Sequence, residues 1–347
     1  MALIASALVS VCGCKHENTS PPPPRQNSNL KHDLTGWLAT KTDNQGIIVY
    51  SLPDLRRTMV LPDRNPGDVR AVFALSGPDS RGRIAYIESN SNAEKRPTYS
   101  LKLIDRDNPH SQQTLFTGIG DPIWQHVISE SLSLSASGNV ALLCNLQSVQ
   151  LKGVLLYEGA LEICDVHEGT KQVFIPAALD AGLSWSSNGR QLAFVALTPV
   201  SQVPHFDPND RAWVEDSSNR VPAVCVLDLE TRESKPLCVG RLPVVSEDGR
   251  FVMSFDRQGR LQRTDISTGQ IDQVSLPFGG MPIYMRGDGL AIYEGSQTEG
   301  EPTFTKYYSP LAGRRPLASI KVGIANTAEF QTLIPSFDFR NPISYGP

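Results

Sequence analysis

Leu183-Ser184-Trp185-Ser186-Ser187-Asn188-Gly189-Arg190-Gln191-Leu192-Ala193-Phe194-Val195 is the stretch on which the fold turns. Two apolar runs flank a Ser-x-Asn-Gly centre. Asn-Gly between apolar runs is a strong hairpin signal, because both residues tolerate positive φ. The pattern recurs at Leu132 to Leu143, around Ser135 and Gly138, and at Pro243 to Phe255, around Ser246, Asp248 and Gly249. Looser copies run from Phe73 to Ile87, around Gly82, and from Pro282 to Tyr293, around Gly289.

A second element follows each hairpin: an apolar strand ending in Asp, then a turn and another strand. Its copies end at Asp105, Asp165, Asp228 and Asp265. Two hairpins in series give four antiparallel strands, which is one blade of a β-propeller. The turn glycines stand 40 to 60 residues apart, bracketing the period of such blades once loop insertions are allowed. Five blades are read in residues 69–118, 126–176, 180–238, 240–276 and 280–322. Residues 34–62 supply three more strands and lack an inner one. The segment Thr332 to Arg340 is expected to pair with them and close the ring, removing both free edges. The expected fold is therefore all-β, a propeller of four-stranded antiparallel blades. Six blades are counted, and seven only if 323–340 holds more than one strand. Residues 341–347 are left as a tail.

The repeat around Trp185 resembles that of the TolB-type propeller family, which reads aromatic-Ser-Pro-Asp-Gly-Lys/Arg-x-aliphatic-Ala-Phe. Here Ser187-Asn188 stands where that family has Pro-Asp. The resemblance covers residues 34–340 and implies a fold together with protein partners engaged at a rim or channel mouth. A repeat specifies no activity.

Residues 2–14 carry no charge. That run has the length of a signal-peptide core and is too short to span a bilayer, which takes about 20 residues. Val11-Cys12-Gly13-Cys14 resembles a bacterial lipobox, which implies removal of residues 1–13 and lipidation of Cys14. Lys15 then follows the lipidated residue, and in the enterobacterial pattern this favours the periplasm-facing outer membrane. Residues 15–33, with Pro21 to Pro24 consecutive, read as a semi-rigid polyproline tether.

The chain has 347 residues, 32 Lys+Arg against 36 Asp+Glu, and a net charge of −4. No basic stripe is present, which argues against a protein that binds nucleic acid by neutralising phosphates. Beyond Cys12 and Cys14 there are four cysteines. Cys225 and Cys238 flank a strand–turn–strand and are the favoured disulfide pair. The alternative is that all four are small buried hydrophobes within strands. No Cys/His spacing suits a structural zinc; neither a metal nor another cofactor is expected.

One segment breaks the repeat. Residues 198–220 exceed what a blade connection needs, and long loops in compact domains are often functional. His205, Asp207, Asp210, Trp213, Glu215 and Asp216 are the candidate contacts for a partner or ligand. No Gly-x-Ser-x-Gly elbow or other catalytic motif is found, so no catalytic residue is assigned and a non-enzymatic role is favoured. The reading is a lipid-anchored envelope module that binds or scaffolds proteins. Two alternatives remain: a hydrolase acting on carbohydrate or a small ester at the channel mouth, and a structural protein without a defined ligand.

Overall fold

The computed structural model describes residues 36–41, 46–52, 56–65, 70–76, 81–90, 98–119, 132–151, 154–208, 211, 214, 218–246, 248–274, 281–286, 289–294, 302–308, 318–324 and 343–346. These are almost wholly antiparallel β-structure in five sheets, none of which closes on itself. The first sheet holds β1 (Gly36–Lys41), β2 (Ile47–Leu52) and β3 (Arg57–Leu61); the second holds β4 (Arg70–Ser76), β5 (Arg83–Asn90), β6 (Thr98–Asp105) and β7 (Gln112–Ile119). The third has seven strands: β8 (Leu132–Leu134), β9 (Asn139–Leu151), β10 (Val154–Asp165), β11 (Lys171–Trp185), β12 (Gln191–Pro199), β13 (Arg220–Asp228) and β14 (Glu233–Val239). The fourth comprises β15 (Arg241–Val245), β16 (Phe251–Phe255), β17 (Leu261–Asp265) and β18 (Ile271–Gln273). The fifth comprises β19 (Met281–Arg286), β20 (Gly289–Glu294), β21 (Pro302–Tyr308) and β22 (Ala318–Ile324). The last strand, β23 (Ile343–Gly346), returns to the first sheet and pairs with β1, Thr40 opposite Ile343 and Trp37 opposite Gly346.

The recurrent Ser and Gly shape the hairpin turns. Ser135, Ser186 and Ser246 are all fully buried. The Ser186 hydroxyl accepts the Gln191 N–H at 3.0 Å and donates to Asn188 Oδ1 at 2.7 Å. Ser246 accepts the Phe251 N–H at 2.9 Å and donates to Asp248 at 2.6 Å. Gly189 and Gly249 both sit at φ 68°, in the left-handed region where a side chain is strained. The recurrent Asp closes the second turn. Oδ1 of Asp105, Asp165, Asp228 and Asp265 each accepts the N–H groups two and three residues on. Such Asx turns are a local property of the sequence, which is why the repeat is readable without the fold.

Packing between sheets follows strand alternation. Ala39, Ile47 and Val49 of the first sheet meet Leu75, Ile84 and Tyr86 of the second. Ile87, Leu101 and Leu103 of the second meet Leu132, Val140 and Leu142 of the third. Val195, Val224 and Val226 meet Val245, Val252 and Ile266 of the fourth. Neighbouring first strands are also tied by polar contacts. Ser76 accepts the Leu134 N–H at 2.7 Å, Trp185 Nε1 donates to the Ser133 carbonyl at 3.0 Å, and Ser184 accepts the Val245 N–H at 3.0 Å. Strand β4 lies against β8, β8 against β11, β11 against β15, β15 against β19, β19 against β23, and β23 against β4.

Three sequence expectations need correction or placement. Chain closure through 332–340 falls outside the described residues; the strand that pairs with β1 is Ile343–Gly346, inside the segment assigned as a tail. The break expected between residues 176 and 180 is a continuous strand, because β11 finds a partner on each side. Leu179 pairs with Glu158 of β10 and with Val195 of β12. The Cys225–Cys238 disulfide is absent, and both are buried, unbridged thiols. Cys225 belongs to the core with Ala223 and Leu227, whereas Cys238, opposite Val224, belongs to the core on the other face. Adjacent strands bring their backbones together but direct these two side chains apart.

Candidate functional site

The insertion between β12 and β13 is built on the pairing of Pro199 with Arg220. A 3-10 turn, Val200–Gln202, follows, and Asn219 at φ 52° turns the chain back so that its carbonyl accepts the Val200 N–H. Val203 is buried in the third sheet's core, with Phe206 and Val214 packed beside it. With Val200, which packs on the same core, the insertion is thus pinned by four apolar residues among its polar ones. His205 sits at φ 54° and is exposed, its ring beside the turn glycine Gly269; Asp207 is also exposed. Asp210, Trp213, Glu215 and Asp216 lie outside the described residues, as does Cys14.

A groove of about 620 Å³ opens between the third and fourth sheets, at the rim that carries the Ser–Gly and Asp turns. Its apolar base is Val226 and Ile266, two members of one core cluster. Lys235 crosses it and donates from Nζ to the Ile266 carbonyl, tying the two sheets. One wall carries Asp228, Thr231 and Glu233; the other carries Arg250 and Ser267. Partial burial works against the Asp228 carboxylate, but the Thr231 and Glu230 N–H groups and the Arg190 guanidinium outweigh it and hold its pKa below the ordinary value. Asp265, next to the groove, is lowered by the Ser267 hydroxyl first and then by the Thr268 N–H. Arg250 reaches Asp265 through Nε at 3.4 Å and lies 4.8 Å from the Phe251 ring. Both signs of charge, several hydroxyls and a small apolar base therefore face one opening.

A second polar cluster lies on one face of β9, β10 and β11. Lys171 is directly opposite Cys164 in register, and its Nζ meets Glu162 at 2.5 Å while lying 4.5 Å from the Phe116 ring of β7. Burial, with the Glu162 carboxylate adding to it, pushes the Cys144 thiol up to about 12. Burial also pushes Cys225 to about 12. Such thiols are poor nucleophiles. Among the described residues no group of three His, Cys, Asp or Glu could hold a metal ion.

Sequence reasoning located the insertion but missed the groove. Lys235, Arg250 and Ser267 belong to different strands and turns and meet only through packing of two sheets. The one available signal was the turn residues themselves, which gather at one rim because the first and third hairpins of each four-stranded unit reverse there.

No protein-family model matches the chain. No curated protein matches it at the threshold of significance. Among solved structures it is similar to a Mycobacterium tuberculosis puromycin-hydrolyzing peptidase, with a TM-score of 0.51 and 12% identity. The match covers 85% of this chain but 45% of that one, so this chain spans less than half of that neighbour's length. At that identity the likeness concerns the fold alone.

Proposed function

We propose that this chain is a six-bladed propeller of the TolB type, held in a bacterial cell envelope by lipid on Cys14, and that it binds protein partners at its rims. The observation that carries the reading is the cycle of six first strands: β4, β8, β11, β15, β19 and β23, each packed against the next and the last against the first. Dividing the seven-stranded sheet at β11 gives two four-stranded units, and adding β23 to β1, β2 and β3 gives another. Six units of four strands result, with the first and last described strands in the same unit. The groove on the turn rim and the pinned insertion between β12 and β13 are the two binding surfaces.

The test uses a photo-crosslinking residue at Glu233, His205 or, as a control on an outer strand, Val173. Val173 is 60% exposed. Membranes of the producing bacterium are solubilised in detergent after irradiation. The expected result is a discrete adduct from Glu233 or His205 and none from Val173. Identical patterns from all three sites would overturn the binding role. The anchor is tested separately: Cys14→Ser should move the protein from the membrane fraction to the aqueous one, since several acyl chains anchor stably where one does not. Equal partitioning of the two forms would remove the lipid anchor.

A further inference from the structure

Strands β9 and β10, 13 and 12 residues long, pair along most of their length. Their lower halves belong to the third unit, where Val140 pairs with Cys164 and Leu134. The upper halves leave it. Register shifts between Glu158 and Ala160, so that Gly159 faces two residues of β9; such a bulge bends a strand pair. Gly159 is required there, because a Cβ would lie 2.6 Å from the Cys144 carbonyl oxygen and 2.7 Å from Leu146 Cδ2.

Beyond the bend the hairpin joins the fourth unit. Glu158 pairs with Leu179 of β11, and Leu179 pairs on its other side with Val195 of β12. Val149 and Leu156 accordingly pack on the core of Leu179, Val195 and Leu197 rather than on that of the third unit. At this level the order is β14, β13, β12, β11, β10, β9. Because β11 is the innermost strand of the fourth unit, anything added beyond it lies toward the ring axis.

We infer that residues 146–151 and 154–157 form a strap across one mouth of the propeller channel, on the rim opposite the groove. The inference rests on the ring reading above. The strap presents Gln147, Ser148 and Gln150, all exposed, over the mouth and leaves the turn rim as the open entrance. A solute or partner segment that enters the channel enters from the turn rim.

Spin-label distances on the full chain test it, in a Cys12→Ser, Cys14→Ser background where the remaining thiols are buried. The labelled pairs are Gln150–Asn65, Ser218–Asn65 and Ser218–Gln258, each residue changed to Cys; all four positions are exposed. Asn65 follows β3 in the first unit, across the ring from the fourth, and Ser218 precedes β13. Four strand steps separate β13 from β9, so the Gln150–Asn65 distance should be shorter than Ser218–Asn65 by roughly 19 Å at ~4.8 Å per step. Equal or longer separation, with Ser218–Asn65 still much longer than Ser218–Gln258, would overturn the strap and leave the ring standing. If Ser218–Asn65 were no longer than Ser218–Gln258, the ring reading would fail and the strap with it.

Discussion

Lys171→Met is the substitution whose cost can be worked most fully from the structure. Glu162 is 5% exposed, and the Lys171 side chain, 35% exposed, is the cation that meets it. Methionine keeps the apolar stem that covers Cys144 and Cys164 and removes only the charge. Removing one partner of a fully buried pair costs about 3–5 kcal/mol, and of a surface pair about 0–1 kcal/mol. With Lys171 a third open to water, a loss of about 2–3 kcal/mol is expected, of which about 0.5 kcal/mol is the contact with Phe116. In a chain of this size that lowers the melting temperature by about 4 °C or more. Urea unfolding followed by circular dichroism gives the free energy. Adding Glu162→Gln to Lys171→Met should recover most of the loss, because an amide costs far less to bury than an unpaired carboxylate. A single variant within about 0.5 kcal/mol of the parent, or a double variant no better than the single, would refute the assignment of Glu162 and Lys171 as a coupled buried pair.

Other consequences are open to direct measurement. Gly159→Ala should destabilise the protein by about 1–3 kcal/mol through overpacking against Cys144 and Leu146, whereas Gly169→Ala, whose Cβ meets nothing within 4 Å, should cost only the strain of its positive φ. In the Cys12→Ser, Cys14→Ser background a thiol reagent should find no reactive group in the folded protein and four after unfolding, with no change in melting under reductant. Lowering the pH through about 4 and below should reduce stability: the folded pKa values of Asp228 and Asp265 lie below their unfolded values. Their contribution is present above the unfolded pKa and is lost as the folded carboxylates protonate. Melting temperatures across that range, compared with Asp265→Asn, measure it.

Local features were legible in the sequence because their causes are local. Ser186, Asn188 and Gly189 make one turn from six consecutive residues, and Asp228 or Asp265 makes another from four. Those residues therefore announced strands, hairpins and their repeat. What failed depended on partners far away in the chain. Ile343–Gly346 is only four residues, too short for its alternation to stand out, and is bounded by Pro342 and Pro347; only the free edge of β1 makes it a strand. Leu179 stays extended because β10 and β12 both pair with it, and the sequence around Pro176 gives no sign of this. Cys225 and Cys238 looked bridgeable by spacing, yet the period-two alternation within β13 and β14 sets them on opposite faces. Lys235 and Arg250 meet at the groove only because two sheets pack through Val226 and Ile266.

Ring closure by the last strand is tested most directly with a cysteine pair. Thr40 and Ile343 are opposite each other in the β1–β23 register, within the Cα separation that a disulfide can bridge. Thr40→Cys with Ile343→Cys, in the Cys12→Ser, Cys14→Ser background, should form an intramolecular disulfide under mild oxidation. The oxidised chain should run faster than the reduced one on a denaturing gel and unfold at a higher urea concentration. Two thiols that stay free in the folded protein, or that link only into dimers, would contradict a ring closed by residues 343–346.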